Sequence, residues 1–124
     1  MPKQILIVDD EPVLLNAIRR MLTLRGYATL VAGNGVECLE VLAHQPVDLL
    51  ILDVMMPEMD GWEVLRQLKS QGKEGAVPVM LLTAKSQPID KMLGLKVFGV
   101  KEYVTKPFAK NDLLERVERI LGEA

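Results

Sequence analysis

Residues Val47–Trp62 read VDLLILDVMMPEMDGW. The apolar run Leu49 to Leu52 ends on a bare carboxylate, Asp53. Pro57 and the turn-forming pair Asp60-Gly61 follow. A charge at the end of an apolar strand is costly to bury without a partner. Asp53 therefore either leaves the sheet edge for water or belongs to a charged site. Two other stretches favour the site. Ile5 to Val8 is a second apolar run, ending on Asp9-Asp10-Glu11, and a third closes on Lys106-Pro107 near the C-terminus.

The pattern around this stretch is a strict alternation of strand and helix. Gln4 to Asp9 reads as a buried strand, because it is short, apolar and β-branched. Pro12 suits a first helical turn, where its missing N–H costs nothing. Val13, Leu14, Ala17, Ile18, Met21 and Leu22 recur at helical spacing up to the stop at Gly26. Ala28 to Ala32 is a second strand. Asn34 is a candidate N-cap for a second helix ending near His44, with Val36, Leu39, Val41 and Leu42 as its apolar positions. Val47 to Asp53 is the third strand and Pro57 to Lys69 the third helix, with Trp62, Leu65 and Leu68 inward. Val77 to Thr83 is the fourth strand. A fourth helix, Pro88 to Phe98, is interrupted by Gly94 and ended by Gly99. Glu102 to Thr105 is the fifth strand. The last helix opens at Lys110 or Asn111 and carries the stripe Leu113, Leu114, Val117, Ile120 and Leu121.

Five β/α units with near-continuous apolar strands predict a doubly wound α/β fold, a parallel sheet covered by helices on both faces. At 124 residues, 49% hydrophobic and 26% charged, the chain is expected to form one domain, residues 1–124, with a substantial core. The net charge of -2 argues against a nucleic-acid surface, which needs a basic patch. The single Cys38 has no disulfide partner in the chain, which suits a reducing compartment. No apolar run approaches the ~18 residues of a membrane span. These features predict a soluble cytoplasmic protein.

In sheets of this class, ligands bind at the carboxyl ends of the strands. Those ends deliver Asp9 and Asp10, Asp53, Thr83-Ala84, and Thr105-Lys106-Pro107. In the order 2-1-3-4-5, strands one and three are neighbours, so the carboxylates converge. Two charges about 4 Å apart repel by roughly 4 kcal/mol at an effective dielectric near 20. The cluster therefore calls for a cation, proton uptake or both. Clustered hard oxygens suit Mg²⁺, and Lys106 adds a second positive charge. A carboxylate nucleophile, a divalent cation, a lysine and a hydroxyl together make a phosphoryl-transfer kit.

These segments give the chain a resemblance, over its whole length, to the response-regulator receiver domains of bacterial two-component signalling. The resemblance is carried by Asp9-Asp10, LDVMMPEMDGWE around Asp53, LLTA at Thr83, and YVTKPF from Tyr103 to Phe108. It implies the flavodoxin-like (βα)5 fold with strand order 2-1-3-4-5. It implies that Asp53 accepts a phosphoryl group from a phosphohistidine on a sensor histidine kinase or a histidine phosphotransfer protein. Asp10, Asp53 and the main-chain carbonyl of Met55 would bind Mg²⁺, with Asp9 orienting a metal-bound water. Lys106, before a cis bond to Pro107, and the amide of Ala84 would contact the phosphoryl group. Thr83 would swing its hydroxyl onto that group and Tyr103 would move inward, changing the face formed by helix four, strand five and the last helix. Met55 and Lys85 stand at positions that tune dephosphorylation in the family. Lys101-Glu102-Tyr103 replaces a common Asp-Asp-Tyr, reversing a charge on a face through which many winged-helix members dimerise.

Other readings of the same residues are weaker. Aspartyl-phosphate phosphatases place another Asp two residues after the nucleophile, where this chain has Met55. A flavin carrier needs a hydroxyl- and glycine-rich loop after strand one, whereas DDEPV would repel phosphate. A receiver-like interaction module without phosphotransfer has no need of the full set of Asp9, Asp10, Asp53, Thr83 and Lys106. Cys38 reads as a small apolar filler. His44 reads as a surface residue and the seven methionines as packing.

Overall fold

The computed structural model describes residues 2–73, 75–84 and 87–122; Lys85 lies outside them. Five strands, β1 (Gln4–Val8), β2 (Ala28–Ala32), β3 (Leu49–Leu52), β4 (Val79–Thr83) and β5 (Glu102–Thr105), pair in parallel in the order β2-β1-β3-β4-β5. The helices are α1 (Pro12–Leu24), α2 (Gly35–His44), α3 (Gly61–Ser70), α4 (Pro88–Met92) and α5 (Lys110–Leu121).

The apolar strands feed two cores because successive side chains point to opposite faces. Leu6, Val8, Leu50, Leu52, Leu81 and Tyr103 face the side where α2 and α3 supply Cys38, Trp62, Val64 and Leu65. Ile5, Ile7, Leu49, Ile51, Met80, Leu82 and Val104 face α1 and α5, which supply Ile18, Leu22, Leu113, Leu114 and Val117. A fully buried leucine or isoleucine is worth ~1.5–3 kcal/mol, so this double burial holds the sheet rigid.

Several boundaries differ from the sequence expectation, each for a local reason. β4 begins at Val79 rather than Val77, since Pro78 has no N–H to give a ladder and serves only as acceptor for Leu50 N–H. Helix α3 begins at Gly61 and not at Pro57. Asp60 is its N-cap and accepts the Glu63 N–H at 2.9 Å, while Glu58 adopts a left-handed φ of 66° that no helix tolerates. The expected fourth helix is α-helical only to Met92. Leu93–Val97 widens into a π-helical turn, where Phe98 N–H reaches Leu93 C=O at 3.0 Å. Gly94 lies within that turn, where an added Cβ would stand 3.1 Å from the Tyr103 ring. Two residues placed on the α1 stripe turn outward: Val13 is 85% exposed and Ala17 is exposed, while Leu15 packs inward. Val36 of α2 is likewise exposed.

Candidate functional site

The backbone ladder runs one bond past the strands, and those extra bonds position the chemistry. Asp9 N–H reaches Ala32 C=O at 3.2 Å, Asp53 N–H reaches Val8 C=O at 3.0 Å, and Lys106 N–H reaches Thr83 C=O at 2.8 Å. Three residues from three parts of the chain are thus tied by main chain to the same sheet edge. The Lys106–Pro107 bond is cis.

The side chains then meet. Lys106 Nζ donates to Asp9 Oδ2 at 2.8 Å, to Asp53 Oδ2 at 3.2 Å and to Glu11 Oε1 at 3.2 Å. Asp53 Oδ1 accepts the Met55 N–H at 3.1 Å, and Asp9 Oδ1 accepts the Glu11 N–H at 2.9 Å. Asp9 and Asp53 are buried, whereas Asp10 is exposed. Ligand oxygens of Asp9, Asp10 and Asp53 lie within 4.8 Å of one another. At that spacing each pair of charges repels by about 3.5 kcal/mol at an effective dielectric near 20. Lys106 brings one positive charge against three carboxylates, so the cluster keeps a formal charge of -2.

The acidities reflect this balance. Burial pushes the Asp53 carboxyl up from its ordinary value, against the Met55 hydrogen bond and the Lys106 charge, while the charge of Asp9 pushes it further. Burial alone would lower Lys106. Its hydrogen bond to Asp9 and the charges of Asp53 and Asp9 outweigh burial and hold the ammonium above the ordinary lysine range. The donor set fits Mg²⁺: hard carboxylate oxygens converge, and the exposed side at Asp10 leaves room for the waters this ion keeps.

The remaining predicted residues sit close by. Thr83, fully buried, ends β4, and Ala84 follows it at the surface. The pairs Leu81–Tyr103 and Thr83–Thr105 put Thr83 and Tyr103 on one face of neighbouring strands as diagonal neighbours. Tyr103 is already inward, 7% exposed, and burial followed by the charge of Asp90 pushes its phenol up to about 12. Met55 stands at the rim, with its side chain exposed and its N–H on Asp53. Glu102, at the start of β5, is held within the chain by Arg116 at 2.6 Å and Arg119 at 3.5 Å.

Two participants escaped the sequence reading. Glu11 was visible as the third acid of the DDE run but received no role. The only clue was its place before Pro12, at a helix N-cap that favours Ser, Thr, Asp or Asn. Gly61 looked like turn chemistry. Its larger function is contact: an added Cβ would stand 2.5 Å from the Asp53 carbonyl oxygen and 2.9 Å from Val54 Cα.

The arrangement has relatives. A family model for the response regulator receiver domain matches residues 5–118. The response regulator MprA of Mycobacterium sp. (strain KMS) is 41% identical over 121 residues, covering 98% of this chain and 51% of that protein. The chain spans about half the length of the curated relatives it matches. Among solved structures, the receiver domain of the Francisella response regulator 1452 superposes with a TM-score of 0.88 at 32% identity, covering 96% of both chains. The response regulator TrrA of Thermotoga maritima, in complex with Mg(2+)-BeF, gives a TM-score of 0.81 at 35% identity, covering 96% of this chain and 99% of that one. With its strand order, its acidic edge and these likenesses over nearly its full length, the chain belongs to the response regulator receiver domain family.

Proposed function

We propose that residues 1–124 act as one receiver unit in which Asp53 is the phosphoacceptor. The observation that carries this is a buried Asp53 carboxylate bonded to Lys106 and clustered with Asp9 and Asp10 at the open end of the sheet. The donor would be a phosphohistidine on a sensor histidine kinase or a histidine phosphotransfer protein. A carboxylate oxygen of Asp53 attacks phosphorus, the P–N bond breaks, and its electron pair stays on the imidazole, which takes a proton from water. The product is an acyl phosphate on Asp53. The chain is thus a phosphoacceptor assisting its own reaction rather than an enzyme acting on others.

The residues have separable roles in this reading. The Met55 N–H fixes the rotation of the nucleophile, and Lys106 offsets charge on the phosphoryl oxygens. Mg²⁺, held by Asp10, Asp53 and the Met55 carbonyl with Asp9 acting through water, would supply further charge neutralisation. The Mg(2+)-BeF complex of the relative TrrA supports that choice of ion. Thr83 and Ala84 would contact the phosphoryl group. Thr83 and Tyr103 share a sheet face, which gives the change at Asp53 a route to the face formed by α4, β5 and α5 and so to a target protein. Among the described residues no helix is long and apolar enough to cross a membrane. The unit would act in the cytoplasm, and its net charge of -2 supports a role without direct binding to nucleic acid.

The test is direct. Wild type and Asp53→Asn are treated with acetyl phosphate with and without Mg²⁺, and intact mass is measured. One phosphoryl group is expected on wild type, only with Mg²⁺, and none on the variant. No adduct on wild type defeats the proposal, and an adduct that survives Asp53→Asn moves the acceptor elsewhere.

A further inference from the structure

Glu11 stands at the N-cap of α1 in extended geometry, φ -96° and ψ 105°, yet its side chain caps nothing. Cap positions reward short oxygen-bearing side chains that reach back to the first free N–H groups. A glutamate there forgoes that gain. Its carboxylate instead crosses to Lys106 Nζ at 3.2 Å, a partner 95 residues away. An ammonium has three N–H donors. Those of Lys106 go to Asp9, Asp53 and Glu11, so none is left for a phosphoryl oxygen.

The three acceptors are not equivalent. The Asp9 and Asp53 side chains are 2% and 4% exposed, while Glu11 is 63% exposed. A carboxylate that water can solvate gives up a hydrogen bond at less cost than a buried one. Given that Asp53 is the acceptor, we propose that Glu11 is a positioning residue that occupies the third donor of Lys106 and yields it to the incoming phosphoryl group. Glu11 stands in for the anion the site awaits. It holds the lysine in place, and it competes with the phosphodonor for the same N–H.

Neutralising Glu11 therefore makes capture easier. An exposed ion pair is worth a factor of about 1.4 to 5 in an equilibrium. Phosphorylation of Glu11→Gln by subsaturating acetyl phosphate with excess Mg²⁺ is expected to run faster than wild type by that factor. Glu11→Asp, one methylene shorter and a better cap, should move the same way. Because Glu11→Asp keeps the net charge, its gain separates competition for a hydrogen bond from a long-range field. A second readout needs neither phosphate nor metal. In metal-free protein, an amine-acylating reagent followed by peptide mass mapping should label Lys106 faster in Glu11→Gln than in wild type.

Wild type phosphorylated on Asp53, with Glu11→Gln no faster and Lys106 labelling unchanged, overturns the role of Glu11 and leaves the acceptor reading intact. A gain in Glu11→Gln that Glu11→Asp lacks overturns it too, by assigning the effect to net charge. No phosphorylation of wild type overturns both readings.

Discussion

Gly61→Ala separates two expectations of opposite sign. Helix propensity says that alanine in the first turn of α3 should help, by up to ~1 kcal/mol. Geometry says otherwise. The new Cβ would stand 2.5 Å from the Asp53 carbonyl oxygen, 2.9 Å from Val54 Cα and 3.2 Å from the Asp53 carbonyl carbon. All three atoms are main chain, so no rotamer change relieves the contact. Ordinary carbon contacts lie near 3.5 Å, so the two backbones must part by roughly 1 Å. Overpacking of this kind costs ~1–3 kcal/mol. With a urea m-value of about 2 kcal/mol per M, a net loss near 2 kcal/mol lowers the midpoint by about 1 M. Gly33→Ala is the control, since the nearest atom to its added Cβ is the flexible end of Glu37 at 3.8 Å. It should stay within about 0.5 kcal/mol of wild type. A Gly61→Ala midpoint equal to or above wild type would refute the argument that α3 is pressed against the backbone of Asp53 and Val54.

Two further outcomes follow from buried titratable groups. The Tyr103 phenol is raised to about 12, first by burial and then by Asp90, so the fold favours its neutral form. That contribution is complete below the ordinary value near 10 and is lost as pH rises through about 12. Urea midpoints taken across that window should fall less steeply in Tyr103→Phe than in wild type, and parallel slopes would contradict the burial of the phenol. Cys38 is fully buried and burial alone pushes its thiol up to about 12. At about pH 8 only about one thiol in ten thousand is then ionised, against roughly a quarter for a free thiol. A disulfide reagent should leave the native protein unlabelled and take one equivalent in strong denaturant. Native labelling at a free-thiol rate would place Cys38 at the surface.

The strands were legible where their punctuation is local. β2 and β5 match the sequence reading residue for residue, because Gly26, Gly33 and Asn34 bracket one while Gly99 and Lys106-Pro107 bracket the other. The convergence of Asp9, Asp10 and Asp53 was legible too, since the strand order puts β1 beside β3. What local pattern misjudged was set by tertiary contact. Pro57 resembled a helix start, but the side chain of Asp60 supplies the cap and decides the boundary. The π-helical turn at Leu93–Val97 has no sequence period of its own, and Gly94 there seemed merely a weak helix former until Tyr103 and Leu81 stood against it. Glu11 is the extreme case, because nothing near it in the chain announces a partner 95 residues on.

The cation of the site comes from far along the chain. Lys106 reaches Asp9 across 97 residues and Asp53 across 53. A nascent chain that has delivered β1 and β3 already carries the acids, yet lacks the ammonium that partly offsets their charge until β5 is made and seated. The same is true of a chain that has frayed at its last strand. The site's own cation is therefore in place only once the chain has folded through its last strand.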